Sequence, residues 1–191
     1  MTITPLAFPE LYLITPLIHS DARGSFTELI REPQLRELSG LPLHFMQDNE
    51  SESAFGVLRG LHFQRPPFAQ SKLVRVVQGR VLDVVVDIRH GSPRFGQSLA
   101  VELCADNKQQ LFIPRGFAHG FLVLSNTALV QYKVDNSYSP AHDAGLAFDD
   151  PALNIHWPVA GQALLLSAKD QQQPRLSELN SGFHFGDDYY G

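Results

Sequence analysis

Apolar and polar residues alternate over short stretches of the chain, and glycine, proline or asparagine breaks the pattern every few residues. That rhythm suits many short strands better than amphipathic helices. The clearest stretch is Lys72-Leu73-Val74-Arg75-Val76-Val77, then Gln78-Gly79, then Arg80-Val81-Leu82-Asp83-Val84-Val85-Val86-Asp87. Two β-branched runs joined by a short glycine-containing turn predict an antiparallel hairpin. Strand-length segments continue at 99–103, 110–113, 119–124 and 129–134, parted by Ala105-Asp106-Asn107, Pro114-Arg115-Gly116 and Ser125-Asn126. Their even spacing predicts an antiparallel sandwich or barrel. Helical signals are confined to the flanks. Residues 32–38 carry Pro33 in the first turn and Gly40 beyond the end, enough for about two turns, and residues 174–179 suit a shorter helix.

Strand alternation selects candidate chemistry. Lys72, Val74 and Val76 share one face of their strand, as do His119, Phe121 and Val123, and Val130, Tyr132 and Val134. If these faces point into a barrel, Lys72, His119 and Tyr132 are polar groups in an apolar interior, which means either a satisfied network or a ligand site. The opposite orientation puts Lys72 and Tyr132 in solvent. Arg59 and His62, in Gly56-Val57-Leu58-Arg59-Gly60-Leu61-His62-Phe63-Gln64, are three apart and would face opposite ways on a regular strand. A bulge at Gly60 would turn both toward one cavity.

Length and composition narrow the setting. With 191 residues, 43% hydrophobic and 18% charged, the chain fits one globular domain, 1–191, with a tail from about residue 180. The tail, ending in Phe183-His184-Phe185-Gly186-Asp187-Asp188-Tyr189-Tyr190, is aromatic and acidic, and either docks on a neighbour or is disordered. The start lacks a basic segment followed by an apolar one, and no run approaches the roughly eighteen apolar residues of a membrane span. No membrane association and a cytoplasmic location are expected. One cysteine, Cys104, excludes an internal disulfide or a multi-cysteine metal site, and is expected as a small core residue. A formal charge of −5 offers no general attraction to nucleic acid, so an anionic ligand must be met by a few local arginines and lysines.

The chain holds no Gly-x-Ser-x-Gly, no Walker-type loop and no dinucleotide glycine fingerprint. Pro114-Arg115-Gly116-Phe117-Ala118-His119 resembles the second histidine-bearing motif of the cupin barrels. Their other ligands come as a His-x-His pair followed by Glu. Here that place offers only His62, with Phe63 and Gln64 behind it. Zinc or iron needs three or more protein ligands, so no metal and no cofactor is expected.

A more specific resemblance runs through Asp21-Ala22-Arg23-Gly24-Ser25-Phe26-Thr27-Glu28, Gln47-Asp48-Asn49-Glu50-Ser51, 56–62, 114–120, Tyr132-Lys133, Asp149-Asp150-Pro151 and Ser167-Ala168-Lys169-Asp170. In order and spacing these motifs resemble the dTDP-4-dehydrorhamnose 3,5-epimerase family from about residue 3 to about 179. The resemblance implies a mostly β, cupin-like double-stranded β-helix (jelly-roll) barrel with short flanking helices, working without metal as a homodimer. It implies conversion of dTDP-4-dehydro-6-deoxy-D-glucose to dTDP-4-dehydro-L-rhamnose. It also implies His62 as general base, Asp170 as its orienting partner, Tyr132 as general acid and Lys72 facing the enolate oxygen. Arg23, Glu28, Gln47, Asn49, Arg59, His119, Asp143 and Lys169 match substrate-binding positions. Tyr138, with Phe26 assisting, matches the aromatic that stacks on thymine. The N-terminal strand carrying Arg23 and Glu28 is expected to complete the partner's site.

The chemistry is consistent with those roles. A C4 ketone acidifies the hydrogens on C3 and C5, so inversion needs a base, charge stabilisation for the enolate and an acid on the opposite ring face. Histidine, with an ordinary pKa near 6.5, suits the base at neutral pH. A lysine at O4 acts as an oxyanion donor, and arginines provide bidentate donors for a diphosphate. The chain departs from the family at Asp143-Ala144, where glutamate and arginine are usual, and at Phe148, where tryptophan is usual. Two alternatives remain at this stage: an epimerase acting at C3 alone, and a cupin-like module that binds a nucleotide sugar without turning it over. Mere binding requires no acid and base pair.

Overall fold

The computed structural model describes residues 1–158 and 164–191. In chain order the strands are β1 (Thr2–Pro5), β2 (Tyr12–Thr15), β3 (Ile18–Asp21), β4 (Gly24–Thr27), β5 (Gln47–Ala54), β6 (Leu58–Gln64) and β7 (Lys72–Gln78). They continue as β8 (Arg80–Asp87), β9 (Ser98–Cys104), β10 (Gln110–Ile113), β11 (Phe117–Val123), β12 (Thr127–Val134) and β13 (Asp143–Gly145). Helix α1 (Glu32–Ser39) lies between β4 and β5, and the predicted C-terminal helix is a single 3-10 turn at Leu176–Glu178.

Two antiparallel sheets, ordered β1-β2-β10-β7-β12-β5 and β13-β6-β11-β8-β9, form a cupin-like jelly roll. Their facing surfaces bury Val74, Val76 and Val130 from the first sheet against Val81, Val85, Phe117, Phe121 and Val123 from the second. Each such side chain contributes roughly 1.5–3 kcal/mol of hydrophobic stabilisation. The outer faces are covered as well. On the first sheet, Leu35 of α1 packs with Ile14, Leu73 and Phe112. On the second, Leu153, Leu179 and Phe183 from the C-terminal segment cover Leu61, Phe63, Val84 and Val86.

The predicted hairpin at 72–87 is corrected by this arrangement. Strand β7 pairs with β10 and β12, whereas β8 pairs with β9 and β11, so consecutive strands belong to opposite sheets. Gly79, at φ 79°, turns the chain across the barrel, and a Cβ there would stand 2.1 Å from the Thr127 carbonyl oxygen. Each of the two strands buries residues on both of its faces, so β-branched content marks them as strands but does not say which neighbour each one takes.

Strand β5 escaped the hydrophobic pattern because its inner face is polar. Gln47, Asn49, Ser51 and Ser53 turn inward, while Asp48, Glu50 and Glu52 face solvent. The tail packs on its own barrel. Phe183 is buried, and the Tyr190 hydroxyl lies 2.7 Å from Ser71 Oγ and accepts the Arg115 N–H at 3.1 Å. Cys104, expected in the core, is only half-buried at the end of β9. Among the described residues no helix is long and apolar enough to cross a membrane.

Candidate active site

A cavity of about 470 Å³ opens between the sheets, with Lys72 and Tyr132 on one wall and Arg59, His62 and His119 on the other. The alternating faces of 72–76, 119–123 and 130–134 therefore point inward, and the solvent-facing alternative is set aside. Leu165, Leu166, Lys169 and Asp170 border the same space.

The meeting of Arg59 and His62 depends on an irregularity. His62 stands opposite His119 and Arg59 opposite Phe121, so three steps along β6 match two along β11. The extra residue is a bulge at Gly60, whose φ is 133°. A Cβ on Gly60 would come within 2.6 Å of Gly120 Cα, and one on Gly120 within 2.6 Å of the Arg59 carbonyl oxygen. Paired glycines thus let the two strands close where the two side chains must share a wall.

His62 Nε2 lies 2.5 Å from Oδ1 of the buried Asp170. Burial pushes the Asp170 carboxyl up, but the His62 ring, the Ser167 hydroxyl and a Gly60 backbone bond together hold it below the usual carboxylate value. An ionised carboxylate only accepts, so the ring proton sits on Nε2 and Nδ1 is left basic.

A second histidine–aspartate pair lies beside it. His119 Nε2 donates to Asp83 Oδ2 at 2.9 Å, with both side chains buried. Burial pushes the His119 imidazolium down more than Asp83 raises it, so the ring is neutral near pH 7. The other Asp83 oxygen, Oδ1, has no hydrogen-bond partner among the described residues. Asp83 was not singled out by sequence reasoning. The available signal was an acid on the same strand face as Val81 and Val85, which point into the core.

Withdrawal from water pushes the Lys72 ammonium down to about 8, against the pull of Asp83 and Asp143. Its nitrogen donates to the His62 carbonyl oxygen at a long 3.4 Å. Burial raises the Tyr132 phenol, with Arg59 opposing, so it keeps its proton at neutral pH. Arg59 is aimed by its Nε bond to Ser53 Oγ at 2.9 Å and by a 3.3 Å bond to the Glu52 carbonyl oxygen.

The remaining expected binding residues fall into three places. Gln47 and Asn49 bond to each other at 2.7 Å on the inner face of β5, with Asn49 in register with Tyr132. Asp143 accepts from the Tyr138 hydroxyl at 3.0 Å and from Lys169 Nζ, linking all three to the cavity's edge. Arg23, Phe26 and Glu28 lie away from the cavity. Arg23 and Phe26 belong to the separate β3–β4 hairpin, with Phe26 71% exposed, and Glu28 pairs with Arg31 at 2.8 Å.

Residues 5–178 match the family described as dTDP-4-dehydrorhamnose 3,5-epimerase. The chain belongs to this family. A dTDP-4-dehydrorhamnose 3,5-epimerase of Escherichia coli K12 is 46% identical over 179 residues, covering 94% of this chain and 96% of the relative. The crystal structure of a dTDP-6-deoxy-D-glucose-3,5-epimerase from Legionella pneumophila, in complex with dTDP-4-keto-L-rhamnose, superposes with a TM-score of 0.89. It is 45% identical, and the match covers 94% of each chain. A 3'-monoepimerase from Streptomyces bikiniensis, solved with dTDP-quinovose, has a TM-score of 0.85 at 35% identity, covering 91% of this chain and 87% of its own. The epimerase family thus shares its fold across both specificities. For this family member, two His–Asp pairs, a depressed lysine and a protonated tyrosine meet in one cavity.

Proposed function

We propose that the chain converts dTDP-4-dehydro-6-deoxy-D-glucose to dTDP-4-dehydro-L-rhamnose by inverting C3 and C5 through enolates at C4. The observation that carries this reading is the His62–Asp170 pair on one wall with Tyr132 on the opposite wall of the same cavity. A base and an acid on opposing sheets can reach opposite faces of a sugar ring held between them. His62 removes the proton next to the ketone, Asp170 stabilises the resulting imidazolium, and Tyr132 returns a proton from the other side. Lys72 donates to the developing oxyanion, with Asp83 favouring its charged form. His119, held neutral by burial and oriented by Asp83, supplies a polar contact to the sugar.

The nucleotide lies toward the Tyr138–Asp143–Lys169 edge, where Tyr138 stacks on the base and Arg59 meets the diphosphate. Asp143 keeps the acceptor of the family's usual glutamate despite its shorter reach. A homodimer is part of the same proposal. The β3–β4 hairpin pairs with neither main sheet, and it carries an Arg23 side chain that is 90% exposed together with the exposed Phe26. This is the form expected of a segment that completes a partner's cavity.

The test is product analysis by NMR with the 4-ketosugar nucleotide in deuterated water. Deuterium at both C3 and C5, with an L-rhamno product, is the expected result. Deuterium at C3 alone, with the D configuration kept at C5, would replace this reading with C3 epimerisation.

A further inference from the structure

One buried amide in the barrel has no part in the chemistry above. Gln64, two residues beyond His62 on β6, is 4% exposed and uses its amide three times. Its Oε1 accepts the Ser139 N–H at 2.6 Å, and its Nε2 donates to the Ser137 carbonyl at 3.0 Å and the Phe68 carbonyl at 2.7 Å. Both donors of the amide are thereby used. Two of these bonds grip the backbone immediately before and after Tyr138. The main chain of Gln64 also pairs with Asp143, whose carboxylate accepts the Tyr138 hydroxyl at 3.0 Å. One residue therefore holds the Tyr138 ring's backbone on both sides and anchors the group that orients its phenol.

This arrangement resolves an apparent conflict. Tyr138 is 54% exposed, and an exposed aromatic on a loop ordinarily samples several orientations. Here the ring has open space for a ligand while its backbone is tied to a central strand. Neighbouring contacts reinforce the tie. His142 Nδ1 lies 2.8 Å from Ser139 Oγ, the His142 ring lies 4.6 Å from that of Phe68, and Asn136 donates to the Pro67 carbonyl at 3.1 Å.

We infer that Gln64 is the positioning residue that pre-organises Tyr138 for the nucleobase and ties that contact to the strand bearing His62. The inference rests on the reading of Tyr138 as the base-stacking residue. Binding to a loop already in place avoids the ordering cost that a free loop would incur.

The experiment is titration calorimetry of dTDP against the unaltered protein, Gln64→Met, Tyr138→Ala and the double variant, with steady-state kinetics on the sugar nucleotide. Methionine fills the glutamine's volume but leaves two carbonyls and one N–H without partners. Gln64→Met should weaken dTDP binding about tenfold and raise KM alike, with kcat within about twofold. The double variant should lose less than the product of the single losses, because a ring on an untethered loop contributes less. Weaker binding by Tyr138→Ala alone, or losses that simply multiply, would overturn the inference while leaving the stacking role intact. No effect of Tyr138→Ala on dTDP would overturn the stacking role and the inference with it. A fall in kcat with unchanged dTDP affinity would place the effect of Gln64 on His62 instead. If Gln64→Met does not fold, amide hydrogen exchange on the unaltered protein decides. The Ser139 amide should be protected before dTDP is added, and protection appearing only with dTDP would overturn the inference.

Discussion

His62 Nε2 and Asp170 Oδ1 lie 2.5 Å apart although 108 residues separate them in the chain. The contact fixes which ring nitrogen is basic. His62→Asn should therefore lower turnover by about 10²- to 10⁴-fold and abolish solvent exchange at C3 and C5, with circular dichroism unchanged. Asp170→Asn, which can donate to the ring and so select the wrong tautomer, should lower kcat by about 10²-fold or more. Substantial exchange at both carbons by His62→Asn would remove His62 from the role of base.

Tyr132→Phe separates proton removal from proton return. Inversion should slow by about 10²-fold or more, while His62 still exchanges the proton it removes and restores on the same face. Mass spectrometry of recovered substrate checks this. Loss of exchange and inversion to the same extent would mean that the phenol is needed before the proton leaves.

The Lys72 ammonium, pushed down to about 8, loses its charge just above neutral pH. Below that value it is protonated and donates to the enolate oxygen; above it the donor charge is lost. The kcat/KM profile should accordingly fall on an alkaline limb near pH 8. Lys72→Met should remove that limb and cost roughly 10²- to 10³-fold in kcat. An identical limb in the variant would assign the titration to another group.

Gly60→Ala should be among the most damaging small substitutions in the barrel. The φ of 133° is strained for alanine, and the new methyl would lie 2.6 Å from Gly120 Cα, a backbone atom that cannot step aside. A loss of about 2 kcal/mol or more is expected in chemical denaturation, together with lower activity as Arg59 and His62 part. Near-unchanged stability would show that the bulge relaxes freely.

Mixing Arg23→Ala with His62→Asn tests the hairpin's destination. If Arg23 completes the partner's cavity, each mixed dimer has one intact site, and an equal mixture should recover about a quarter of the unaltered activity. Proven mixed dimers without recovery would place Arg23 in the cavity of its own chain.

Much of the site could be read locally. Alternation along 72–76, 119–123 and 130–134 identified which side chains share a face, because the two-residue period is a property of each strand alone. Arg59 and His62 could be reconciled because glycine between them permits a bulge. Strand β5 was hidden, since its inner positions are Gln47, Asn49, Ser51 and Ser53 and carry no hydrophobic signal.

What the sequence determined by itself was the strand-rich class, the place and start of α1 and which side chains share a strand face, all consequences of backbone geometry over a few residues. Tertiary structure alone decided that β7 and β8 part to opposite sheets, that Asp83 meets His119, and that Gln64 grips the loop around Tyr138. Each of these depends on which distant segment covers a buried face or satisfies a buried polar group. Only closing the whole barrel supplies that partner.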